Sequence, residues 1–215
     1  MTLLVRKYSP FDLIPYKEII YVGKRIINNL RHSGDKRKIE NAILDGREFE
    51  KFVKYTFLTE RNKIEIIYET GKNRESSPGD RTIDFAVIYK GTKPYVWAGI
   101  ECKYRREVSN VFQWATENQF NKYNYLQKYL KIPIYIIIGV GGLPNNPKEL
   151  YFIPLDKLNS HNISLNQFDH YRISSFDDMV STMKPHFMRY YYKKEKNRTR
   201  ELIKKRLKGF SKIWK

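Results

Sequence analysis

The segment that most constrains the fold is an uninterrupted apolar run, IPIYIIIGV, at residues 132–140 of the 215-residue chain. This run has the length of a β-strand and falls short of the roughly 18 residues that a membrane span requires. A strand without polar alternation is typically buried on both faces, inside a sheet and parallel to a neighbouring strand. The chain is therefore predicted to fold around a central sheet that helices cover.

The segments around this run follow an order that predicts an α/β domain. Apolar residues recur at three- and four-residue steps before the first strand, and they alternate with polar residues along that strand. A short turn through Gly91 predicts that the second and third strands form an antiparallel hairpin. The predicted elements are a helix or pair of helices over 38–58, strands over 63–69, 82–89 and 97–105, a helix over 107–130, the strand over 132–140 and a last strand over 150–155.

Three local features refine this prediction. The sequence GVGG at 139–142 is predicted to be a turn, because prolines follow where a nucleotide-binding helix would start. A short helix is predicted after Ser174 or Ser175, where FDDMV supplies acidic residues for a first turn. The helix over 107–130 is predicted to direct six residues toward the core: Val111, Trp114, Ala115, Phe120, Tyr123 and Leu126.

The predicted hairpin brings an acidic residue close to a Glu-x-Lys tripeptide. Alternate residues of a strand share a face, so Glu101 and Lys103 project together while Cys102 faces the other way. Asp84 joins them if the strands pair. Both carboxylates interrupt apolar strands, and a carboxylate buried there needs a partner or a metal ion. The alternative interpretation is an ordinary strand face exposed to solvent, which would also alternate apolar and charged residues.

These residue types favour metal-assisted hydrolysis of a phosphodiester. Two carboxylates supply the hard oxygen ligands that Mg²⁺ prefers, and a lysine beside them can act on the attacking water or on the charge that develops at phosphorus. A zinc site is not expected, because Cys102 is the only cysteine and no two of the four histidines have the spacing of a helical metal pair. The sequence also lacks a serine-hydrolase elbow and a P-loop.

The charge of the chain predicts a polyanionic partner. The formal net charge is +18 and the pI is near 9.8. Lysines and arginines that neutralise phosphates release counterions, which gives salt-sensitive affinity for nucleic acid. Membrane binding is not expected from the apolar runs. The first 18 residues do not have the pattern of a secretory signal, so we predict a cytoplasmic protein, in the cytosol or associated with the nucleoid.

Much of this charge lies in the segment 189–215, which has 12 Lys and Arg and two Glu and so carries +10 of the total. Interleaved aromatic residues suit a surface that follows a nucleic-acid strand, and an acidic protein partner or a membrane face is the alternative. Apolar residues at helical spacing predict that part of the segment is a helix with a buried stripe. The residues predicted to bind nucleic acid are Lys193, Lys194, Arg198, Arg200, Lys204, Lys205, Arg206 and Lys208.

The segments TIDF and IECK, in this order of elements, resemble the PD-(D/E)xK nuclease superfamily over about residues 40–155. The proline of the family name is replaced by Ile83. The resemblance implies a restriction-endonuclease-like fold, an αβββαβ core with a central mixed sheet flanked by helices. The domain organisation then predicted is an N-terminal helical extension over 1–39, the nuclease core over 40–158, a connecting segment over 159–188 and the basic aromatic tail over 189–215.

The same resemblance implies roles for individual residues. Asp84, Glu101 and the backbone carbonyl of Cys102 would hold Mg²⁺ or Mn²⁺, and Lys103 would complete the catalytic set. The helix GREFEKFV would add an acidic residue, with Glu50 as the match and Glu48 as the alternative. RecB-type members carry Gln and Tyr on the helix after the lysine strand. Gln119 and Tyr123 have that spacing, and they would position the substrate or pack on the helix face.

The sequence therefore predicts a metal-dependent nuclease that acts on nucleic acid, with DNA favoured, in restriction, recombination, repair or defence. Two alternatives remain open: a non-catalytic nucleic-acid-binding subunit that retains the fold, and a nuclease subunit that is active only within a larger complex. A homodimer is also left open. The presence of Asp84, Glu101 and Lys103 together favours the enzyme, because a non-catalytic scaffold has no need for the set.

Overall fold

A computed structural model describes the chain in six stretches. The main helices and strands follow one another in the predicted order. Residues 1–48 and 49–215 form two separate units. The sheet and the contacts described below all belong to the second unit. The described residues are 34–59, 62–70, 83–92, 95–107, 111–184 and 196–213.

The predicted N-terminal extension lies outside the described residues as far as residue 33. A π-helical turn, Lys54–Leu58, continues the first helix, and 3₁₀ turns occupy Leu155–Lys157 and Leu165–Tyr171. The helices are α1 (Gly34–Val53), α2 (Glu117–Leu130), α3 (Phe176–Met183) and α4 (Lys196–Ile213). The strands are β1 (Ile64–Glu69), β2 (Phe85–Tyr89), β3 (Val96–Arg105), β4 (Phe112–Gln113), β5 (Ile134–Leu143), β6 (Asn146–Pro154) and β7 (Asn162–Ile163).

Five of these strands form one mixed sheet in the order β1-β2-β3-β5-β6. Strands β1, β2 and β3 are antiparallel neighbours, β3 and β5 are parallel, and β6 returns antiparallel to β5. The apolar strand β5 is thus an interior strand with one parallel neighbour, as predicted. The predicted α/β fold class is confirmed, because α1, the three antiparallel strands, α2 and β5 follow the restriction-endonuclease-like order αβββαβ.

The sheet buries a different set of apolar side chains on each face. One set packs α2 and α4 against the sheet, and the other packs the end of α1 and α3 against its opposite face. Each fully buried Leu, Ile or Phe contributes roughly 1.5–3 kcal/mol. The first set includes Ala86, Ile88, Trp97, Leu126, Leu130, Ile136, Ile138, Ile203, Leu207 and Phe210. The second includes Phe49, Val53, Phe85, Val87, Ile100, Tyr135, Ile137, Met179 and Met183.

The approach of α1 to the sheet depends on a glycine in β5. A Cβ atom added to Gly139 would lie 2.4 Å from Cε2 of Phe49, so any larger residue would displace that ring. Phe49 is fully buried and also contacts Tyr104 on β3, with ring centroids 5.8 Å apart. The glycine therefore fixes how closely the last turn of α1, from Phe49 to Val53, lies over the strands.

The predicted helix over 107–130 is wrong in its first part. The helix begins at Glu117, because the hydroxyl of Thr116 accepts the N–H of Gln119 at 3.2 Å and Gln119 Oε1 accepts the N–H of Thr116 at 3.1 Å. Residues Phe112–Gln113 instead pair with Asn162–Ile163. Val111 is 60% exposed, whereas Trp114 and Ala115 are buried ahead of the helix.

The predicted turn at 139–142 lies three or four residues too early. Strand β5 continues to Leu143 and the chain reverses at residues 144 and 145. Gly141 and Gly142 both have φ of +65°, so they give β5 a left-handed backbone without ending it. The last strand is correspondingly longer than predicted, since β6 begins at Asn146. The short helix α3 starts after Ser175, as predicted, with Ser175 and Asp178 forming its capping box.

Candidate active site

The pairing of β2 with β3 sets Asp84 opposite Glu101. Phe85 is the register partner of Ile100, so Asp84, the residue just before β2, comes beside the part of β3 that carries Glu101, and its Oδ2 accepts the backbone N–H of Cys102. The edge strand β1 fixes the backbone here, since the N–H of Thr70 donates to the carbonyl of Asp84 at 3.0 Å. Lys103 follows on the same face of β3. The structure therefore brings together the three residues predicted from the sequence.

Asp84 is a buried carboxyl in a negative environment. Its side chain is 4% exposed, and Oδ2 accepts the backbone N–H of Cys102 at 2.7 Å. Burial raises the pKa of Asp84 well above its ordinary value, and the nearby carboxylates of Glu101 and Glu50 raise it further, against the opposing effects of Lys103 and the Cys102 N–H. A cation at this position would relieve the repulsion among the carboxylates.

Glu101, Lys103 and Tyr123 form a hydrogen-bonded group on the α2 side of the sheet. Lys103 Nζ donates to Glu101 Oε1 at 2.7 Å, and the Tyr123 hydroxyl donates to the same oxygen at 2.6 Å. Lys103 Nζ also lies 3.3 Å from the Tyr123 hydroxyl and 5.6 Å from the centre of its ring. Glu101 is buried and Lys103 is nearly so, so this group is shielded from bulk water. Helix α2 thus supplies one member of the site.

Glu50 approaches the site from the opposite helix. Its carboxylate raises the pKa of both Asp84 and Cys102, which places it within electrostatic range of the two strands. One turn later, Lys54 donates to both carboxylate oxygens of Glu69 at 2.8 and 2.9 Å. This ion pair ties the π-helical end of α1 to β1. Such single π-helical turns often accompany functional sites.

The donor set suits a hard divalent cation. Asp84 and Glu101 offer carboxylate oxygens from adjacent strands, and Mg²⁺ is usually held by one or two carboxylates, with water and substrate oxygens completing its shell. Among the described residues, no group of three or more His, Cys, Asp and Glu side chains could by itself hold a metal ion. A Mg²⁺ or Mn²⁺ ion here would therefore also need water, phosphate oxygens or the carbonyl of Cys102.

The thiol of Cys102 does not add a soft ligand to this set. Burial raises its pKa well above the ordinary value, and the carboxylates of Asp84, Glu50 and Glu101 raise it further. The thiol is therefore held protonated, and a protonated thiol is neither a metal ligand nor a nucleophile. The chemistry of the site is that of oxygen ligands and one amine.

Gln119 and Tyr123, which were predicted as a pair, have different surroundings. Tyr123 is buried and bonded to Glu101. Gln119 is exposed at the first turn of α2, where its side chain accepts the N–H of Thr116. Its observed contact is thus that of a helix cap, and its role in positioning a substrate stays a prediction.

Two further residues support the site: Arg105, which was not predicted, and Trp114, which was predicted only as a core-facing residue. Arg105 ends β3 and donates to the carbonyl of Gln113 at 3.2 Å and of Trp114 at 3.0 Å. The ring of Trp114 stacks on Tyr123, with centroids 6.1 Å apart and planes 20° from parallel. The sequence does carry one signal of this arrangement: Thr116-x-x-Gln119 matches a capping box and marks the helix start after Trp114.

The basic residues predicted to bind nucleic acid differ in their surroundings. Lys193 and Lys194 lie outside the described residues, as does the side chain of Arg198. Arg200 is paired with Glu65 on β1, and Lys204 lies 3.3 Å from Glu201. Arg206 donates to the carbonyl of Tyr129 at 3.2 Å and lies over its ring. Lys205 and Lys208 are exposed.

Helix α4 is part of the domain core. Ile203, Leu207 and Phe210 are buried, and the ring of Phe210 contacts Tyr125 and Tyr129 of α2 with centroids 5.9 and 6.1 Å apart. The predicted buried stripe is confirmed for these three positions, whereas Leu202, which was predicted to belong to it, is 39% exposed. Because the ring of Phe210 lies in the core, it is not one of the aromatic residues that could follow a nucleic-acid strand. Tyr190, Tyr191, Tyr192 and Trp214 lie outside the described residues.

No helix in the described part of the chain is long and apolar enough to cross a membrane. No protein-family model matches the sequence, and no curated protein matches it. Among solved structures, the chain is similar to a Holliday junction resolvase from the archaeal hyperthermophile Archaeoglobus fulgidus. The match has 11% identity and a TM-score of 0.43, and it covers 63% of this chain and 98% of that chain. A likeness this distant carries no argument about the site, which depends on its own geometry.

Proposed function

We propose that this chain is a nuclease of the PD-(D/E)xK superfamily that hydrolyses phosphodiester bonds with the help of Mg²⁺ or Mn²⁺. The observation that carries the proposal is the juxtaposition of Asp84, just before β2, with Glu101 and Lys103 on the neighbouring strand β3. DNA is favoured as the substrate by the resemblance of TIDF and IECK to that superfamily. The positive charge of the chain supports a nucleic-acid substrate of either kind.

The side chains of the site would divide the chemical work among them. Asp84 and Glu101 would hold the cation, and Glu50 would act directly or through water. When bound, a divalent ion polarises the scissile phosphate and lowers the pKa of an attacking water. The raised pKa of Asp84 in the free protein opposes ionisation of its carboxyl, and a bound cation would favour the ionised form.

Lys103 is the cationic group of the site. Its ammonium is held by Glu101 and Tyr123, so it is oriented before any substrate arrives. From this position it would orient the attacking water or stabilise the negative charge that develops on the phosphate oxygens. Tyr123 would act by holding Glu101 and Lys103 in place, because its hydroxyl bonds to both.

The proposal is tested by incubating the purified chain with linear, circular, branched and single-stranded DNA and with RNA, in Mg²⁺, Mn²⁺ or EDTA. We expect metal-dependent cleavage that falls by about 100-fold or more in Asp84→Asn and in Lys103→Met, because each removes a group that acts in the transition state. Matched controls are Asp177→Asn on α3 and Lys128→Met on α2, both exposed positions. Cleavage that persists in Asp84→Asn would reject this site. Binding without cleavage would favour a non-catalytic subunit.

A further inference from the structure

Trp114, in the segment between β3 and α2, is held by three hydrogen bonds, one of which involves its indole ring. Its backbone N–H donates to the carbonyl of His161 at 3.1 Å, and Nε1 donates to the carbonyl of Ser160 at 2.9 Å. Its own carbonyl accepts from Arg105, two residues beyond Lys103 on the same strand. Trp114 is fully buried. Both of its N–H groups and its carbonyl therefore have backbone or guanidinium partners.

The indole of Trp114 in turn packs against one face of the ring of Tyr123. The two rings stack, while Phe120 meets Trp114 edge-on with centroids 6.0 Å apart and planes at 88°. The Tyr123 ring is thus confined on one side by Trp114, and its hydroxyl is directed at Glu101 Oε1. A displacement of this side chain about χ1 would break the contacts of the hydroxyl with Glu101 and Lys103 together, because one oxygen makes both.

We propose that Trp114 is a positioning residue: it fixes Tyr123, and through Tyr123 it sets the orientation of Glu101 and Lys103. The inference rests on the proposed function, since it assigns Trp114 a part in the same site. The segment just before β7 takes part in this arrangement, because Ser160 accepts the indole N–H and His161 accepts the backbone N–H of Trp114.

The kinetic test is a double-mutant cycle of Trp114→Leu and Tyr123→Phe, assayed on whichever DNA substrate the wild-type chain cleaves. Loss of a residue that orients active-site groups typically costs about 10- to 100-fold in activity. We expect Trp114→Leu to lower kcat by that factor with KM changed by less than about twofold. In the Tyr123→Phe background, Trp114→Leu should lower kcat by less than about twofold, because the hydroxyl through which it acts is already gone.

Two further variants separate positioning from stability. Phe120→Leu removes the other ring that contacts Trp114 and should lower the melting temperature while kcat stays near the wild-type value. Trp114→Phe retains an aromatic face but loses the bond to Ser160, so we expect an intermediate kcat and a chain that still folds. Losses in kcat that multiply fully in the double mutant, or a Phe120→Leu variant as slow as Trp114→Leu, would overturn the inference.

A measurement that needs no activity keeps this inference distinct from the proposed nuclease function. NMR of the chain with labelled tyrosine reports the ring-flip rate of Tyr123 and the exchange of its hydroxyl proton. We expect slow flipping in the wild type and in Phe120→Leu, and fast flipping with rapid hydroxyl exchange in Trp114→Phe or Trp114→Leu. An equally ordered Tyr123 in both Trp114 variants would overturn the inference. A chain that cleaves no substrate yet shows the expected NMR change would overturn only the nuclease assignment.

Discussion

At the scale of single residues, the site is defined by a carboxyl that the fold holds in an unfavourable place. Asp84 is surrounded by apolar strand residues and by the carboxylates of Glu101 and Glu50. The backbone N–H of Cys102 and the ammonium of Lys103 favour the ionised carboxylate, but they offset only part of the effect of burial and of the two carboxylates. A protein that needed this position only for stability would be better served by a neutral side chain.

This environment makes the stability of the chain depend on pH. Because the pKa of Asp84 is higher in the folded than in the unfolded chain, its contribution to stability is full below the unfolded pKa and is lost as pH rises through the folded pKa. In Asp84→Asn no charge is buried, and the amide oxygen can still accept the Cys102 N–H. We expect this variant to be more stable than the wild type at neutral pH by on the order of 1–3 kcal/mol.

Denaturant unfolding in EDTA across a pH series measures the difference. The advantage of Asp84→Asn should shrink toward acid pH, where the wild-type carboxyl is protonated, and should be absent from Asp177→Asn at every pH. A variant less stable than the wild type by the same amount at neutral and acid pH would show that Asp84 serves as a structural hydrogen-bond acceptor and not as a strained ligand.

The sequence was sufficient to predict which residues meet at the site, and insufficient for how they are held. Asp84, Glu101 and Lys103 follow from strand alternation and one hairpin, both of which are local patterns. Tyr123 was predicted together with Gln119 from their spacing on the helix. That spacing does not reveal that Gln119 caps the helix while Tyr123 is buried and bonded to Glu101. Distinguishing the two requires knowing where α2 begins and which face of it meets β3.

At the scale of elements, the failures of prediction lie where a distant segment decides the local structure. Residues 107–116 carry apolar residues at helical spacing, yet Phe112–Gln113 pair with Asn162–Ile163, a contact that no local pattern reveals. The left-handed glycines of β5 likewise depend on the hairpin with β6. In contrast, α3 and the alternation within β2 and β3 depend on neighbouring residues alone, and these were predicted.

Helix α4 is strongly basic and yet contributes to the hydrophobic core. Its sequence is among the most basic of the chain, but Ile203, Leu207 and Phe210 are buried against the sheet and α2. Deleting residues 189–215 would therefore expose this apolar surface and cost stability as well as charge. A test of nucleic-acid binding must change the exposed lysines of α4 and leave the buried stripe intact.

At the scale of the whole molecule, the lysines of α4 could contact DNA directly, or they could favour DNA binding only by adding to the net charge of the chain. Lys205 and Lys208 are exposed on α4. We expect Lys205→Glu/Lys208→Glu to weaken DNA binding and to reduce the slope of log K against log salt by about 0.9 per lost phosphate contact. The measurement is fluorescence anisotropy with a catalytically inactive background, Lys103→Met, over a range of salt concentrations.

The matched control makes the same change of net charge elsewhere. Lys157→Glu/Lys184→Glu reverses two exposed lysines outside α4. If α4 forms part of the binding surface, this control should lose less affinity and keep a steeper salt dependence than the α4 variant. Equal effects from both pairs would mean that the net charge of the chain matters and the position on α4 does not.

The most direct test of the account is where Mn²⁺ binds in crystals of the wild-type chain and of Asp84→Asn. Anomalous diffraction locates this ion without assuming any activity. We expect a peak in the wild type coordinated by the carboxylates of both Asp84 and Glu101, and no peak there in the variant. A wild-type crystal grown in excess Mn²⁺ that shows no ion between these carboxylates would contradict the claim that they form a metal-dependent catalytic centre.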